Sequence, residues 1–434
     1  MPPLTPRRRR AAVPVSTPEP LSGGAVGAAS AGPVDAPAID GTENRVGTWA
    51  CVPTATPPTA TPVLHDQTFR QVVRTSLGGD RLRLRLTNEF GTVPLRIGEV
   101  HVALRSGATG TDIDPSTDHT VTFGGNTSPT IPAGAPMISD PVPLTLPARA
   151  ALVVSIHVPD ETPVTTLHAL SYQENEVALG NVTGDTSIEA TETLTQWRFL
   201  SGVSVRARTR GADAVVALGD SITDGSETEV DADNRWPDLL AERLEHTGVL
   251  NSGVAGNRLL HDPRPIAGSE AEGYAAFFGQ SALRRFDRDV TAHPGVRHVI
   301  VLLGVNDLGH PGTTAPLSEV VTVEEIIGAH RQIIVRSHAA GLRAHGGTIL
   351  PFGGDALGFF TEENEAKRQA VNEWIRTGGE YDTVIDFDAA LRDPKDPSRL
   401  RPDHDSGDGL HPNDAGMAAM AEAVPTRLFR PVVR

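Results

Sequence analysis

The 434-residue chain contains a single cysteine, Cys51. That excludes an intrachain disulfide framework and any all-cysteine metal site. Lysine is nearly absent too: Lys367 and Lys395 are the only two, so arginine carries almost all the positive charge. Positive charge is itself in the minority, the formal net charge being −16 at pH 7. This argues against nucleic acid as a partner, because phosphates demand concentrated basic surface. The same negative field disfavours polyanionic substrates and leaves neutral ones as the better expectation. No uninterrupted apolar run approaches the ~20 residues needed to cross a bilayer, so no membrane span is expected. Aromatic residues make up 4% of the chain, few for the exposed ring platforms of a carbohydrate-binding module. Trp49, Tyr172 and Trp197 are therefore read as core or interface residues. With 38% hydrophobic and 21% charged residues, the chain has the composition of an ordinary globular protein and the length for two domains and a tail.

Residues 1–44 mix Pro, Ala, Gly and Ser with few large apolar side chains, too little apolar surface to offset the entropy of ordering. They read as a disordered leader. Arg7 to Arg10 followed by Ala11-Ala12-Val13 is similar to the basic start of an export signal, but Pro14, Pro18, Glu19 and Pro20 interrupt the apolar segment that should follow. A degenerate export signal is the second reading of this segment; a secreted location is nevertheless expected, on the strength of the chemistry the downstream residues carry.

Residues 45–208 carry the pattern of short strands. Arg81 to Leu86 alternates Arg and Leu, the period-two signature of a half-buried antiparallel strand. Thr68 to Leu77, Leu95 to Leu104, His119 to Phe123, Ala151 to His157 and Trp197 to Val205 are further strands, separated by Gly- and Pro-rich gaps. A β-sandwich of jelly-roll type accounts for this spacing, and it is expected to be an accessory domain. From 211 to 434 the texture changes to strand and helix in alternation. Ala214 to Leu218 is a continuous apolar run of the kind found in buried parallel strands. Strands then follow at Val249 to Asn251, His298 to Leu303, His345 to Leu350 and Thr383 to Phe387, and helices at Pro237 to Glu245, Ala282 to Ala292, Val323 to Ala340, Glu362 to Arg376 and from Asn413. The expectation is an α/β domain with a parallel sheet covered on both faces and a site outside the carboxyl ends of its strands.

Three short segments fall at that edge: Gly219-Asp220-Ser221-Ile222, Gly304-Val305-Asn306-Asp307 and Asp408-Gly409-Leu410-His411. They bring a hydroxyl nucleophile, an amide donor for an oxyanion, and an acid–base pair three residues apart, which are the parts of a serine esterase. Each has a plainer reading. For Ser221 it is the N-cap of a short helix, and for Asn306 and Asp307 the shaping of a turn. The group Asp403, His404, Asp405, Asp408 and His411 has the residue types of a metal site, but its spacing matches neither a zinc-protease helix nor a calcium loop, and no metal is expected. No Gly-x-Ser-x-Gly segment occurs, so the nucleophile elbow is not the template.

Together with Asn251-Ser252-Gly253-Val254-Ala255-Gly256-Asn257, these segments resemble four of the sequence blocks of the SGNH or GDSL hydrolase superfamily of esterases and lipases. The resemblance runs from about Ala214 to the C-terminus. The preceding strands are similar to the N-terminal domain of a bacterial secreted subgroup. It implies a flavodoxin-like α/β/α fold, no cofactor, and a division of roles. Ser221 would be the nucleophile and His411 the base, an imidazole of ordinary pKa ~6.5 being suited to that task. Asp408 would orient the imidazole, and the backbone N–H groups of Ser221 and Gly256 with the Asn306 amide would form the oxyanion hole. Trp236, His310 and Phe352, with the loop from His261 to Gly279, are candidate pocket walls. By analogy with secreted relatives, the expected substrate is an acetyl or feruloyl ester of plant or bacterial polysaccharide; short-chain acyl or aryl esters are the alternative.

Overall fold

The computed structural model describes residues 44–429, which lie within one compact unit, Glu43–Arg434. Apart from Asn44, the leader expected over residues 1–44 lies outside the described residues.

The N-terminal part is built from antiparallel sheets. One has four strands in the order Arg45–Ala50, Leu200–Ala207, Gly79–Thr87, Pro136–Ile138. A second has six, in the order Glu192–Leu194, Asn175–Leu179, Gln67–Arg74, Ala151–Val158, Glu99–Leu104, His119–Thr120. The Arg–Leu alternation does what its period dictates: Leu82, Leu84 and Leu86 are buried while Arg81 stays exposed. Those leucines share one core with Phe69, Val100 and Leu152 of the six-stranded sheet, so the two sheets face each other as a sandwich. The strand expected to reach Leu77 stops at Arg74. Beyond it the Ser76 hydroxyl donates to the Thr48 carbonyl and accepts the Val249 N–H, which draws the chain out of the sheet and onto the second part.

The last antiparallel strand ends at Ala207 and the first parallel strand begins at Asp213. Five parallel strands follow, in the spatial order Thr247–Ser252, Asp213–Gly219, Val296–Leu302, Arg343–Gly347, Thr383–Ile385. Numbered along the chain this is 2-1-3-4-5, the flavodoxin-like order. Ala214 to Leu218 are buried on both faces, as their unbroken apolar run requires. Helix Val323–Ala339 opens with a capping box, Thr322 and Glu325 each taking the other's backbone N–H. The helix expected over Ala282 to Ala292 is α-helical only to Phe286 and continues as a π turn over Asp287–Thr291.

The two parts are joined by shared core. Val46, Ala50, Leu77 and Ala207 from the sandwich pack into the α/β core. Strand Arg45–Ala50 comes so near the second parallel strand that a Cβ on Gly248 would stand 2.0 Å from the Gly47 carbonyl oxygen, a backbone approach only glycine allows.

Candidate active site

In the order 2-1-3-4-5, the connections leave the first and third strands in opposite directions and open a crevice at their carboxyl ends. Ser221 and Asn306 stand there. Strand Asp213–Gly219 runs into Asp220, whose carboxylate caps a single helical turn, Ser221–Asp224, by accepting the Ile222 N–H at 3.1 Å. Ser221 is thus the first residue of the turn and Asp220 its cap. Asp220 is buried, and desolvation raises its carboxyl to about 7 despite that hydrogen bond. Strand Val296–Leu302 leads through Gly304 into helix Val305–Gly309, which carries Asn306 and Asp307.

The third segment arrives from 190 residues away. Nε2 of His411 lies 2.9 Å from Ser221 Oγ, and its Nδ1 lies 2.6 Å from Asp408 Oδ2. The other Asp408 oxygen accepts the backbone N–H groups of Leu410 and His411, both at 2.8 Å. Burial alone would raise the Asp408 carboxyl, but the His411 contact and these N–H groups outweigh it and hold it far below the usual carboxylate range. The remaining acidic residues of this loop are occupied elsewhere. Asp403 pairs with Arg401 at 2.8 Å, and Asp405 accepts the N–H groups of Gly407 and Gly409. Among the described residues no group of three His, Cys, Asp or Glu side chains converges as metal ligands would.

Gly256 sits on the loop after the second parallel strand at φ +73°. Among the described residues, no protein acceptor takes the backbone N–H of Ser221 or of Gly256. The loop is pinned from several sides. Asn306 Nδ2 donates to the Asn257 carbonyl at 3.0 Å, and Asp307 accepts the N–H groups of Leu259 and Leu260 at 2.7 and 3.0 Å. The fully buried Arg285 donates to Asn257 Oδ1 and to the carbonyls of Ser252 and Gly219, all within 3.0 Å. One guanidinium therefore ties the end of the Ser221 strand to the loop that carries Gly256. Burial draws the Arg285 guanidinium down to about 10, still charged at neutral pH.

The three expected pocket walls lie in packed interior. Trp236 is fully buried beneath the Ser221 turn, its ring 5.5 Å from Phe387 and its N–H 3.3 Å from Thr223 Oγ1. Phe352 is likewise fully buried, against Phe360. Neither offers surface to a ligand, because the core claims the large apolar area of each ring. His310 stands behind the site with its ring 5.1 Å from that of Phe278 and 5.5 Å from that of Phe359; burial pushes its imidazole down to about 3, so it stays neutral. The loop aromatics lie closer: a Cβ on Gly256 would meet the Phe278 ring at 2.1 Å.

Several residues with a positioning role escaped the sequence reading. Asp224 closes the helical turn that Ser221 opens, two residues beyond the Ser221 segment. Its Oδ2 accepts the Ala255 N–H at 3.0 Å, and its Oδ1 is 2.9 Å from Nε2 of His168, a sandwich residue whose Nδ1 faces the Val52 carbonyl at 3.0 Å. Both ring nitrogens of His168 face acceptors, which the imidazolium alone can satisfy. Burial opposes that charge, but Asp224 prevails and the pKa is raised. Nothing in the sequence marks His168 or Arg285; Asp224 and Asp307 lie beside motif residues and had that much signal.

Residues 217–419 match the GDSL-like lipase/acylhydrolase family model. No curated protein matches the chain. Solved structures similar to it include an aryl esterase from M. smegmatis, 16% identical over 50% of this chain and 100% of that one, TM-score 0.38. A carbohydrate acetylesterase from Sinorhizobium meliloti is 13% identical over 50% and 98%, TM-score 0.37. A GDSL-like lipase from Bacteroides thetaiotaomicron is 18% identical over 49% and 85%, TM-score 0.35. The class defined by the flavodoxin-like sheet and the matched segment is an ester hydrolase. Residues 217–419 are a GDSL-like lipase/acylhydrolase domain.

Proposed function

We propose that the chain hydrolyses carboxylic esters through an acyl-enzyme on Ser221. The observation that carries this reading is the unbroken line Ser221 Oγ, His411 Nε2 and Nδ1, Asp408 Oδ2, with separations of 2.9 and 2.6 Å. Asp408 accepts the hydrogen bond of the Nδ1–H and so leaves Nε2 as the acceptor, a tautomer assigned from the hydrogen-bond network. Ser221 gives its proton to Nε2 as its oxygen attacks the carbonyl carbon. The imidazolium, stabilised by Asp408, returns that proton to the departing alcohol. Water then repeats the sequence on the acyl-enzyme and releases the acid. The oxyanion of each tetrahedral intermediate accepts from the free N–H groups of Ser221 and Gly256 and from the second N–H of the Asn306 amide, whose first is held by Asn257.

Acetyl or feruloyl esters of plant or bacterial polysaccharide are the proposed substrates, with export of the protein to reach them. Aryl or short-chain acyl esters are a second reading, favoured by the apolar character of the walls beside the site. Ser221→Ala should lower hydrolysis of p-nitrophenyl acetate by on the order of 10⁴–10⁶ while leaving the circular dichroism spectrum unchanged. A folded Ser221→Ala protein with near wild-type turnover would overturn the assignment, as would inhibition of the wild type by EDTA in place of a serine-directed phosphonate.

A further inference from the structure

Beside the Gly256 loop lies a cavity of about 450 Å³ that neither part of the chain could form alone. The α/β part supplies Asp224, Val254, Ala255 and the aromatics Tyr274, Phe277 and Phe278. The sandwich closes it with Thr54 and the segments 168–170 and 195–196. The cavity abuts the site through its walls. Asp224 is on the same helical turn as Ser221, Ala255 precedes Gly256, and the Phe278 ring lies against the Gly256 Cα. The two halves are clamped there by His168 and Asp224, buried and 2.9 Å apart, and Asp224 in turn holds the Ala255 N–H.

Resting on the serine-esterase reading, we infer that this cavity receives the larger apolar group of the ester, an aromatic ring or a group of like size. The sandwich would then be a structural half of the specificity pocket rather than an accessory module. Its volume falls within the range of small-molecule sites, and an acetyl group would leave most of it empty. Three aromatic side chains on one wall present ring faces and edges to a flat apolar group. Across from them, Ala169 and Leu170 keep the sandwich wall low, and Thr195 and Gln196 can meet ring substituents with a hydroxyl and an amide. The ring could sit on either side of the ester bond, so the test separates acyl from alcohol.

The experiment compares kcat/KM for two matched pairs, benzyl against ethyl acetate and methyl 3-phenylpropanoate against methyl propanoate. It uses the full chain and the variants Ala169→Trp and Leu170→Trp, which fill the cavity from the sandwich side; Leu170 is 36% exposed, so its replacement does not disturb packed core. Labelling of Ser221 by a small phosphonate reports the intact nucleophile in each. We expect the wild type to favour the aromatic member of at least one pair by about tenfold or more, the scale of burying one ring. At least one folded variant should cut that preference by about tenfold, with labelling retained. A preference of the first pair places the ring in the alcohol, and of the second in the acyl group. No preference in either pair, or a preference that both folded, labelled variants leave intact, overturns the inference while the esterase reading stands. Hydrolysis of none of the four esters together with no labelling overturns both.

Discussion

Asn306 shows how much one side chain can be asked to do. Its amide holds the Asn257 carbonyl at 3.0 Å and has one further N–H to offer where charge develops. Because that second bond is strongest in the transition state, Asn306→Ala should lower kcat by about 10²–10³ and change KM little, as steady-state kinetics on p-nitrophenyl acetate would show. A rise in KM at constant kcat would instead make Asn306 a ground-state binding residue. Asp307, next in sequence, has a different task. Its carboxylate is spent on the Leu259 and Leu260 N–H groups, fixing the loop on which Gly256 sits.

At the scale of elements, the site is assembled where loops are held by neighbours more than by their own sequence. Arg285 reaches from a helix to the ends of two strands and to Asn257. Gly256 is the point where this clamping leaves no slack, with φ +73° and the Phe278 ring against its Cα. Gly256→Ala should be penalised twice, by roughly 1–2 kcal/mol for the left-handed backbone and by displacement of the Phe278 ring. The expected outcome is a melting temperature lower by a few degrees, at about 2–4 °C per kcal/mol, and a fall in kcat of about tenfold or more. A Gly256→Ala enzyme with unchanged kcat would mean that this N–H does not bind the oxyanion.

For the whole molecule, buried imidazoles set the acid limit. His293, His298, His330 and His345 are pushed down to about 4 and His310 to about 3, in each case chiefly by burial. They stay neutral in the fold, whereas the unfolded chain takes up protons near ~6.5. Between those values the unfolded state binds more protons, so stability is complete above ~6.5 and falls as pH drops towards 4, by about 1 kcal/mol per pH unit for each group. Asp220 and Asp238, raised to about 7 mainly by desolvation, act in the opposite sense, as do Asp213, Asp233 and Asp307, also raised by burial, and they make the decline shallower than the five histidines alone would give. Thermal unfolding followed by fluorescence should show a melting temperature that declines steadily from pH 6.5 to 4.5. A flat or rising profile over that interval would overturn the acid limit assigned to these histidines.

The sequence by itself determined where the chemistry-bearing residues stand along the chain and which kind of layer each segment enters. Apolar periodicity is a local property: Leu82, Leu84 and Leu86 point inward because alternate residues of a strand share a face, and Ala214 to Leu218 lie in a parallel sheet because all five are apolar. Ser221, Asn306 and His411 were legible because each lies at a strand end or loop that such periodicity brackets. Tertiary structure alone decided partners. Trp236 and Phe352 are apolar enough for a pocket or for a core, and only packing against Phe387 and Phe360 assigned them to the core. His168 meets Asp224, 56 residues onward, and Arg285 meets Gly219, 66 residues back. No local pattern encodes such pairs, because a buried polar contact depends on which surfaces the fold brings together, and a lone His or Arg reads the same in sequence whether it faces water or closes a site.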